Sequence, residues 1–394
     1  MIGGFAGIIY TGPPAVVALV VALQLGVYKE LIHLGIQTHE KKSGEALPTV
    51  SGLHWWFLVA TQYFLYGQTI IHYFKDRILV DAYLLPLATH HRFIAMSLYL
   101  AGFVAFVMSL RPGHYRSQFG QFAWTHMVLL LVVCQSHGVI RNTFEGLIWV
   151  VLPASLVICN DIMAYVCGFF FGRTPLIQLS PKKTWEGFIG ALFFTCIFGF
   201  FLAGQLARSP FMICSVRDID RTTGSLLFLK AYQSGATQLC QPNPVYLFRA
   251  AVLPPVVSTF IRQATLGHVA LQSIQVAPIQ YHSLVLALFA SLIAPFGGFF
   301  ASGYKRAFHI KDFGASIPGH GGLTDRMDCQ FMMGLFSYMY NHSFIRTVAI
   351  VSVNTVLEGA VRGLSAPQLL ELYQSLGTYL KNRGLLPPAS VAAR

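Results

Sequence analysis

Three carboxylates near the C-terminal end of the sequence, Asp312, Asp325 and Asp328, stand within one 27-residue stretch, SGYKRAFHIKDFGASIPGHGGLTDRMD (Ser302–Asp328). Asp and Glu total only 15 in 394 residues, so this gathering is not a consequence of composition. Lys305, Arg306, Lys311 and Arg326 sit among the acids, and Pro318-Gly319-His320-Gly321-Gly322 joins the two acidic groups. Glycines without a Cβ let a backbone approach a ligand closely, and successive N–H groups in such a loop form an anion-binding nest. Thr324 is expected to cap a helix starting at Asp325, whose positive dipole end then points at the same place. Asp325 and Asp328, three apart, share one face of that helix. Carboxylates so placed suit Mg²⁺, a hard ion held by one or two carboxylates together with substrate phosphates. The cations supply charge for phosphate oxygens. Taken singly, each residue reads as a turn glycine or a solvated charge; taken together they describe a polyphosphate site.

A second polar group lies inside an apolar run. Asp161 falls in CNDIMAYVCGFFFGR, with Asn160 beside it. A charge at the centre of a bilayer costs about 2.5–3.5 kcal/mol or more, which makes such a residue a functional candidate. The plainer reading is a buried acid bonded to a neighbouring helix. Beyond it, Ser180-Pro181-Lys182-Lys183-Thr184 opens the next apolar segment. Ser180 or Thr184 serves as the cap, Glu186 favours the first turn, and Lys182 and Lys183 stand where phosphate could be met.

The stretch from Ser302 to Asp328 resembles the signature of the CDP-diacylglycerol synthases, or phosphatidate cytidylyltransferases. Ser302, Lys305, Arg306, Lys311, Asp312, Gly314, Pro318, His320, Gly321, Gly322, Asp325, Arg326 and Asp328 all fit it, and Tyr304 is a mild departure. NDIMAY and GRTPLIQLSPKKTWEGFIG are also similar to that family, and the resemblance is closest to its eukaryotic branch. It implies transfer of the cytidylyl group of CTP to phosphatidate, giving CDP-diacylglycerol and pyrophosphate, with Mg²⁺ and a second cation, K⁺. Asp312, Asp325, Asp328, Asp161 and Lys311 are then the expected catalytic residues, the first three as metal ligands. Lys182, Lys183, Lys305, Arg306, Arg326, Gly319, His320, Gly321 and Gly322 are expected at the substrate phosphates. His320 by itself is equally a loop stabiliser. A CTP-dependent polyprenol or lipid kinase is the main alternative, and a transporter using Asp161 a distant one.

The elements that must position these residues belong in a bilayer. Hydrophobic residues are 55% of the chain and mean hydropathy is +0.58, too apolar for a soluble domain. The net charge of +12 suits anionic lipid surfaces and nucleotide phosphates. Basic residues scattered between apolar runs form no stripe, which argues against nucleic acid as a partner. The expected fold is all-α, a polytopic helical bundle of about eight spans: Ala15–Val27, Leu53–Tyr73, Phe93–Leu110, Phe119–Val133, Leu147–Phe171, Phe188–Leu206, His282–Phe300 and Cys329–Tyr340. Gly12-Pro13-Pro14 breaks the run from Met1 into that first span. Residues 1–364 form the membrane domain, and 365–394 an amphipathic or polar tail.

Lys and Arg in short loops set the orientation. Lys29 with Lys41 and Lys42, Arg111 with Arg116, Arg173 with Lys182 and Lys183, and the signature share one side, taken as the cytosol. The opposite side then holds Lys75–Arg92, a turn near His137–Arg141 and a polar loop over residues 208–280, lumenal in the endoplasmic reticulum. Cys214 and Cys240 in that loop could pair in an oxidising compartment. The other Cys lie in apolar runs as small hydrophobes, and no CxxC zinc pattern exists. Gly168-x-x-x-Gly172 is expected to pack helices. A homodimer remains open, and the family's polar N-terminal arm has no counterpart here, so a shortened N-terminus is expected.

Overall fold

The computed structural model describes residues 2–43, 52–78, 84–180, 183–216, 240, 242–252, 258, 263, 273–314, 316, 321–346 and 353–383. Helices dominate. In chain order they are α1 (Ile2–Thr11), α2 (Pro13–Ser43), α3 (Leu53–Ile78), α4 (Leu84–Thr89), α5 (His91–Met108) and α6 (Tyr115–Val128). A π-helical turn, Leu129–Cys134, joins α6 to α7 (Gln135–Glu145); then come α8 (Ile148–Phe171), α9 (Trp185–Ala207) and α10 (Pro210–Ile213). A 3₁₀ turn, Pro244–Tyr246, precedes two antiparallel strands, β1 (Arg249–Val252) and β2 (Ser273–Val276). The first unit closes with α11 (Pro278–Leu292), α12 (Pro295–Ala307) and α13 (Thr324–Tyr340).

Six stretches among the described residues are long and apolar enough to cross a membrane: Pro13–Gln37, His91–Met108, Tyr115–Glu145, Ile148–Phe171, Trp185–Ala207 and Pro278–Ala307. The outer faces agree, since Phe93 and Phe169 are 75% and 72% exposed, tolerable for rings that meet lipid. Two expected spans are helical but more polar. α3 carries Lys75, Asp76 and Arg77 near its end, and the 17-residue α13 begins with Asp325, Arg326 and Asp328. The expected turn at His137–Arg141 is a correction: these residues are helical, because α6 runs through the π turn into α7 as one rod. Pro295 splits the span expected over 282–300 into α11 and α12, since proline cannot complete the hydrogen bonds of a continuing helix. Gly12, at φ +99°, makes the break between α1 and α2 that Gly12-Pro13-Pro14 predicts.

The core is built around α2. Val27, Tyr28, Leu31 and Leu34 pack with Phe57, Val128, Val132, Ala301 and Phe331. Trp124 of α6 donates its indole N–H to the Leu31 carbonyl at 2.9 Å. On the far side, α7 meets α13 through Gly138 and Gly334, and Asn142 donates to the Gly334 carbonyl at 3.3 Å.

α8 and α9 cross where side chains are absent. A Cβ on Gly187 would lie 2.7 Å from the Ala164 carbonyl and 3.0 Å from Gly168 Cα. The small residues predicted to pack helices do so here. Gly187→Val is therefore expected to force α8 and α9 apart, costing about 1–3 kcal/mol and lowering the melting temperature in detergent. Gly359→Ala, where nothing lies within 4 Å of the added Cβ, is the control expected to leave the melting temperature nearly unchanged.

Cys214 and Cys240 form a disulfide with Cα atoms 5.7 Å apart. It packs with Phe211, Ile213 and Val216, beside the end of α9. Tyr246 is buried, and its hydroxyl accepts from Trp149 Nε1 of α8 at 2.9 Å, fastening this polar region to the bundle.

The chain divides after Ser343, and residues 344–394 are a separate compact unit. Its described helices are α14 (Val353–Gly363) and α15 (Ala366–Asn382). In α15, Gln368 Oε1 accepts from the N–H and hydroxyl of Ser365, both at 2.9 Å, closing the first turn. Leu370, Tyr373, Leu376 and Tyr379 are exposed on it.

Candidate active site

The loop between α8 and α9 is tightly folded. Leu176 N–H donates to the Lys183 carbonyl at 2.8 Å, and Trp185 N–H to the Thr174 carbonyl at 3.0 Å. Glu186 in the first turn of α9 accepts from Thr174 Oγ1 at 2.8 Å and from Arg173 N–H at 3.1 Å. Thr184, rather than Ser180, is the cap: its hydroxyl accepts from Gly187 N–H at 3.3 Å. The effect is to hold Lys183 at a fixed point over α12, with its Nζ 4.7 Å from the centre of the Phe299 ring.

Asp328 meets Lys183 there. A Cβ placed on Gly298 would be 3.4 Å from Asp328 Oδ2 and 3.8 Å from Lys183 Nζ, so the two charges flank the same bare stretch of helix. Asp328 Oδ1 accepts from Cys329 N–H at 2.8 Å. Asp161 of α8 is near enough to act electrostatically on Asp328, and itself feels Lys183 and Arg326. Four of the residues singled out in the sequence thus converge from α8, the α8–α9 loop and α13.

The other signature residues are engaged differently. Asp325 pairs with Lys305 Nζ at 2.6 Å through Oδ1, while Oδ2 accepts from Phe313 N–H at 3.1 Å and Gly322 N–H at 3.2 Å. Asp325 is therefore a brace of the loop, whereas Asp328, one turn on, faces the cations. Asp312 is exposed, and its carboxylate borders Gly321, where φ is +83° and an added Cβ would lie 3.2 Å from Asp312 Oδ1. Lys311 is exposed, and Arg306 Nη1 donates to the Gln178 carbonyl at 3.4 Å, tying α12 to the α8–α9 loop. Lys182, Gly319 and His320 lie outside the described residues. Among the described residues no three His, Cys, Asp or Glu side chains gather closely enough to hold a metal by themselves.

Thr324 is not the cap expected of it. It is the first residue of α13, and the capping group is Glu30, from α2. Glu30 accepts from Leu323 N–H at 2.9 Å, Thr324 N–H at 2.9 Å and Thr324 Oγ1 at 2.8 Å, and from the Ser316 hydroxyl. Sequence reasoning does not single out Glu30. The signal was available, because an acid within a long apolar helix carries the same cost that draws attention to Asp161.

Beside the charges opens a cavity of about 320 Å³. Val27, Leu31, Val128, Phe300, Ala301 and Phe331 line it, and Gly297, Thr324 and Asp328 also border it. An apolar space in a membrane protein is thus bordered by a carboxylate, with Lys183 close to that carboxylate.

Residues 1–344 match the model of the cytidylyltransferase family. The chain is 48% identical over 370 residues to a putative phosphatidate cytidylyltransferase of Schizosaccharomyces pombe, covering 94% of this chain and 79% of that protein. It is 45% identical over 388 residues to human phosphatidate cytidylyltransferase 1, covering 98% and 78%. Against phosphatidate cytidylyltransferase 1 of Arabidopsis thaliana it is 43% identical over 387 residues, covering 97% and 86%. The chain belongs to the cytidylyltransferase family.

Proposed function

We propose that this protein transfers the cytidylyl group of CTP to phosphatidate, releasing pyrophosphate and forming CDP-diacylglycerol. The observation that carries the reading is the meeting of Asp161, Lys183, Arg326 and Asp328 beside an apolar cavity, in a member of this family. A phosphate oxygen of phosphatidate attacks the α-phosphorus of CTP. The new P–O bond forms there as the bond to the β-phosphate oxygen breaks, and pyrophosphate leaves. The nucleophile is already ionised near neutral pH, so no strong base is required. What the chain must do is bring two anions together and neutralise their repulsion.

Lys183 and Arg326 supply positive charge at that meeting point. Asp161 and Asp328 are a donor set that fits Mg²⁺, two carboxylates with phosphate oxygens completing the shell. When bound, that ion, with K⁺ as a second cation, supplies charge neutralisation for the phosphates. The cavity between α2, α6 and α12 receives acyl chain sideways from the bilayer. The Cys214–Cys240 disulfide fits an oxidising compartment. This supports a lumenal α9–α11 connection in the endoplasmic reticulum, with the signature facing the cytosol.

The test is the fate of labelled CTP. With purified protein, phosphatidate and Mg²⁺, label at the α-phosphate is expected in the lipid product and label at the γ-phosphate in pyrophosphate. Lipid carrying γ-label would instead establish a CTP-dependent lipid kinase. Neither that alternative nor a transporter is favoured by the family match.

A further inference from the structure

We propose that Glu30 is a positioning residue for the reaction: its carboxylate sets the start of α13, and with it the place of Asp328. The inference rests on the reading of the site given above. Glu30 is 9% exposed and gathers four donors, the Ser316 and Thr324 hydroxyls and the N–H groups of Leu323 and Thr324. Two of these are backbone groups that a helix leaves unsatisfied at its N-terminus, and a negative charge there also complements the helix dipole.

The surroundings are shaped to this one side chain. A Cβ on Gly322 would come within 2.9 Å of Glu30 Oε2, and one on Gly314 within 2.9 Å of Oε1, so both glycines admit the carboxylate. One turn earlier on α2, Gly26 lets Leu323 lie against the helix: an added Cβ would be 2.5 Å from Leu323 Cδ1. The signature segment is thus clamped at Ser316 and again at Leu323–Thr324, on either side of the glycine run. Asp328 follows Thr324 by one helical turn, so a shift in the first turn of α13 moves Asp328 relative to Lys183, which is held independently by the α8–α9 loop. Glu30 touches neither proposed substrate, and it acts through the placement of others.

Glu30→Gln keeps the volume and removes the charge. In the full-length protein it is expected to raise amide hydrogen exchange at Leu323 and Thr324 roughly tenfold, as charged hydrogen bonds weaken. It is expected to lower kcat roughly 10–100-fold, the usual effect of removing a group that orients a site residue, with KM for CTP little changed. Glu30→Asp, which keeps the charge on a shorter arm, should recover part of kcat. A merely structural role would instead lower the folded fraction and leave kcat per folded molecule untouched. Unchanged exchange at Leu323 and Thr324 overturns the clamp; faster exchange with wild-type kcat overturns the positioning role. If the Gln variant does not fold, Ser316→Ala and Thr324→Val each remove one donor, and wild-type exchange and kcat in both would equally overturn the proposal. Failure of the cytidylyl-transfer reading shows separately, as α-label missing from the lipid made by the wild-type protein, while the exchange result stands.

Discussion

Replacing Asp328 by Asn is expected to reduce turnover by roughly 10²-fold or more, the scale seen when one preorganised electrostatic contact is removed from an active site. The substitution keeps shape and removes charge. Asp328 Oδ1 accepts its neighbour's N–H at 2.8 Å, a bond the Asn carbonyl can also accept, so the start of α13 should survive. What is lost lies on the other oxygen, which faces Gly298 and Lys183. Asp325→Asn should behave differently. There the carboxylate holds Lys305 and two backbone N–H groups, so the amide leaves Lys305 without its counter-charge and loosens the loop. The pair is therefore separable in one experiment that measures kcat and melting temperature together. Asp328→Asn should lose kcat at nearly constant melting temperature, and Asp325→Asn should lose both. Near-wild-type turnover of Asp328→Asn in Mg²⁺ would remove that carboxylate from the proposed metal shell.

The second large effect is expected at Cys214–Cys240. The bridge spans 26 residues of sequence, and chain-entropy arguments give about 3.5 kcal/mol for closing a loop of that length. Replacing both cysteines by Ser should lower the melting temperature of the wild-type protein to the value it has after reduction. Turnover at low temperature should persist, because none of the residues bearing charge at the site lies in that connection. The same pair reports sidedness. After reduction, a membrane-impermeant thiol reagent should reach these cysteines only from the lumenal side of sealed vesicles. Labelling from outside right-side-out microsomes would invert the proposed orientation.

Much of this architecture is legible in the sequence because membrane helices announce themselves by length and apolarity. Ile148–Phe171 and Trp185–Ala207 fall within a few residues of where hydropathy puts them. α3 and α13 were equally visible as apolar segments, and both are helical over those residues. The rod from Tyr115 to Glu145 is longer than its most apolar part, since Gln118, Ser136 and the Asn142 amide nitrogen find backbone carbonyl partners, and hydropathy cannot see partners. At the site, residue types and spacing single out Asp161, Lys183, Arg326 and Asp328, which the fold brings together, and Asp161 stands out by the cost of its charge. Spacing could not divide labour between Asp325 and Asp328. That division depends on Lys305, 20 residues earlier, and on Gly322 turning its N–H inward. Glu30 was hidden for a related reason, as its four donors lie nearly 300 residues away and no local pattern links them.

The π turn at Leu129–Cys134 lets one continuous rod serve two sets of neighbours. Above it, Trp124 addresses α2; below it, Gly138 and Asn142 address α13. A wide turn holds one residue more than a regular one, which rotates everything beyond it by about 100°. Shortening the chain by a single residue there would restore a regular helix at no cost in hydrophobicity. It would also swing Asn142 away from the Gly334 carbonyl and present the wrong stripe to α13. Length at this point is thus a phase setting, and insertions or deletions should be far less tolerated here than any exchange of one apolar side chain for another.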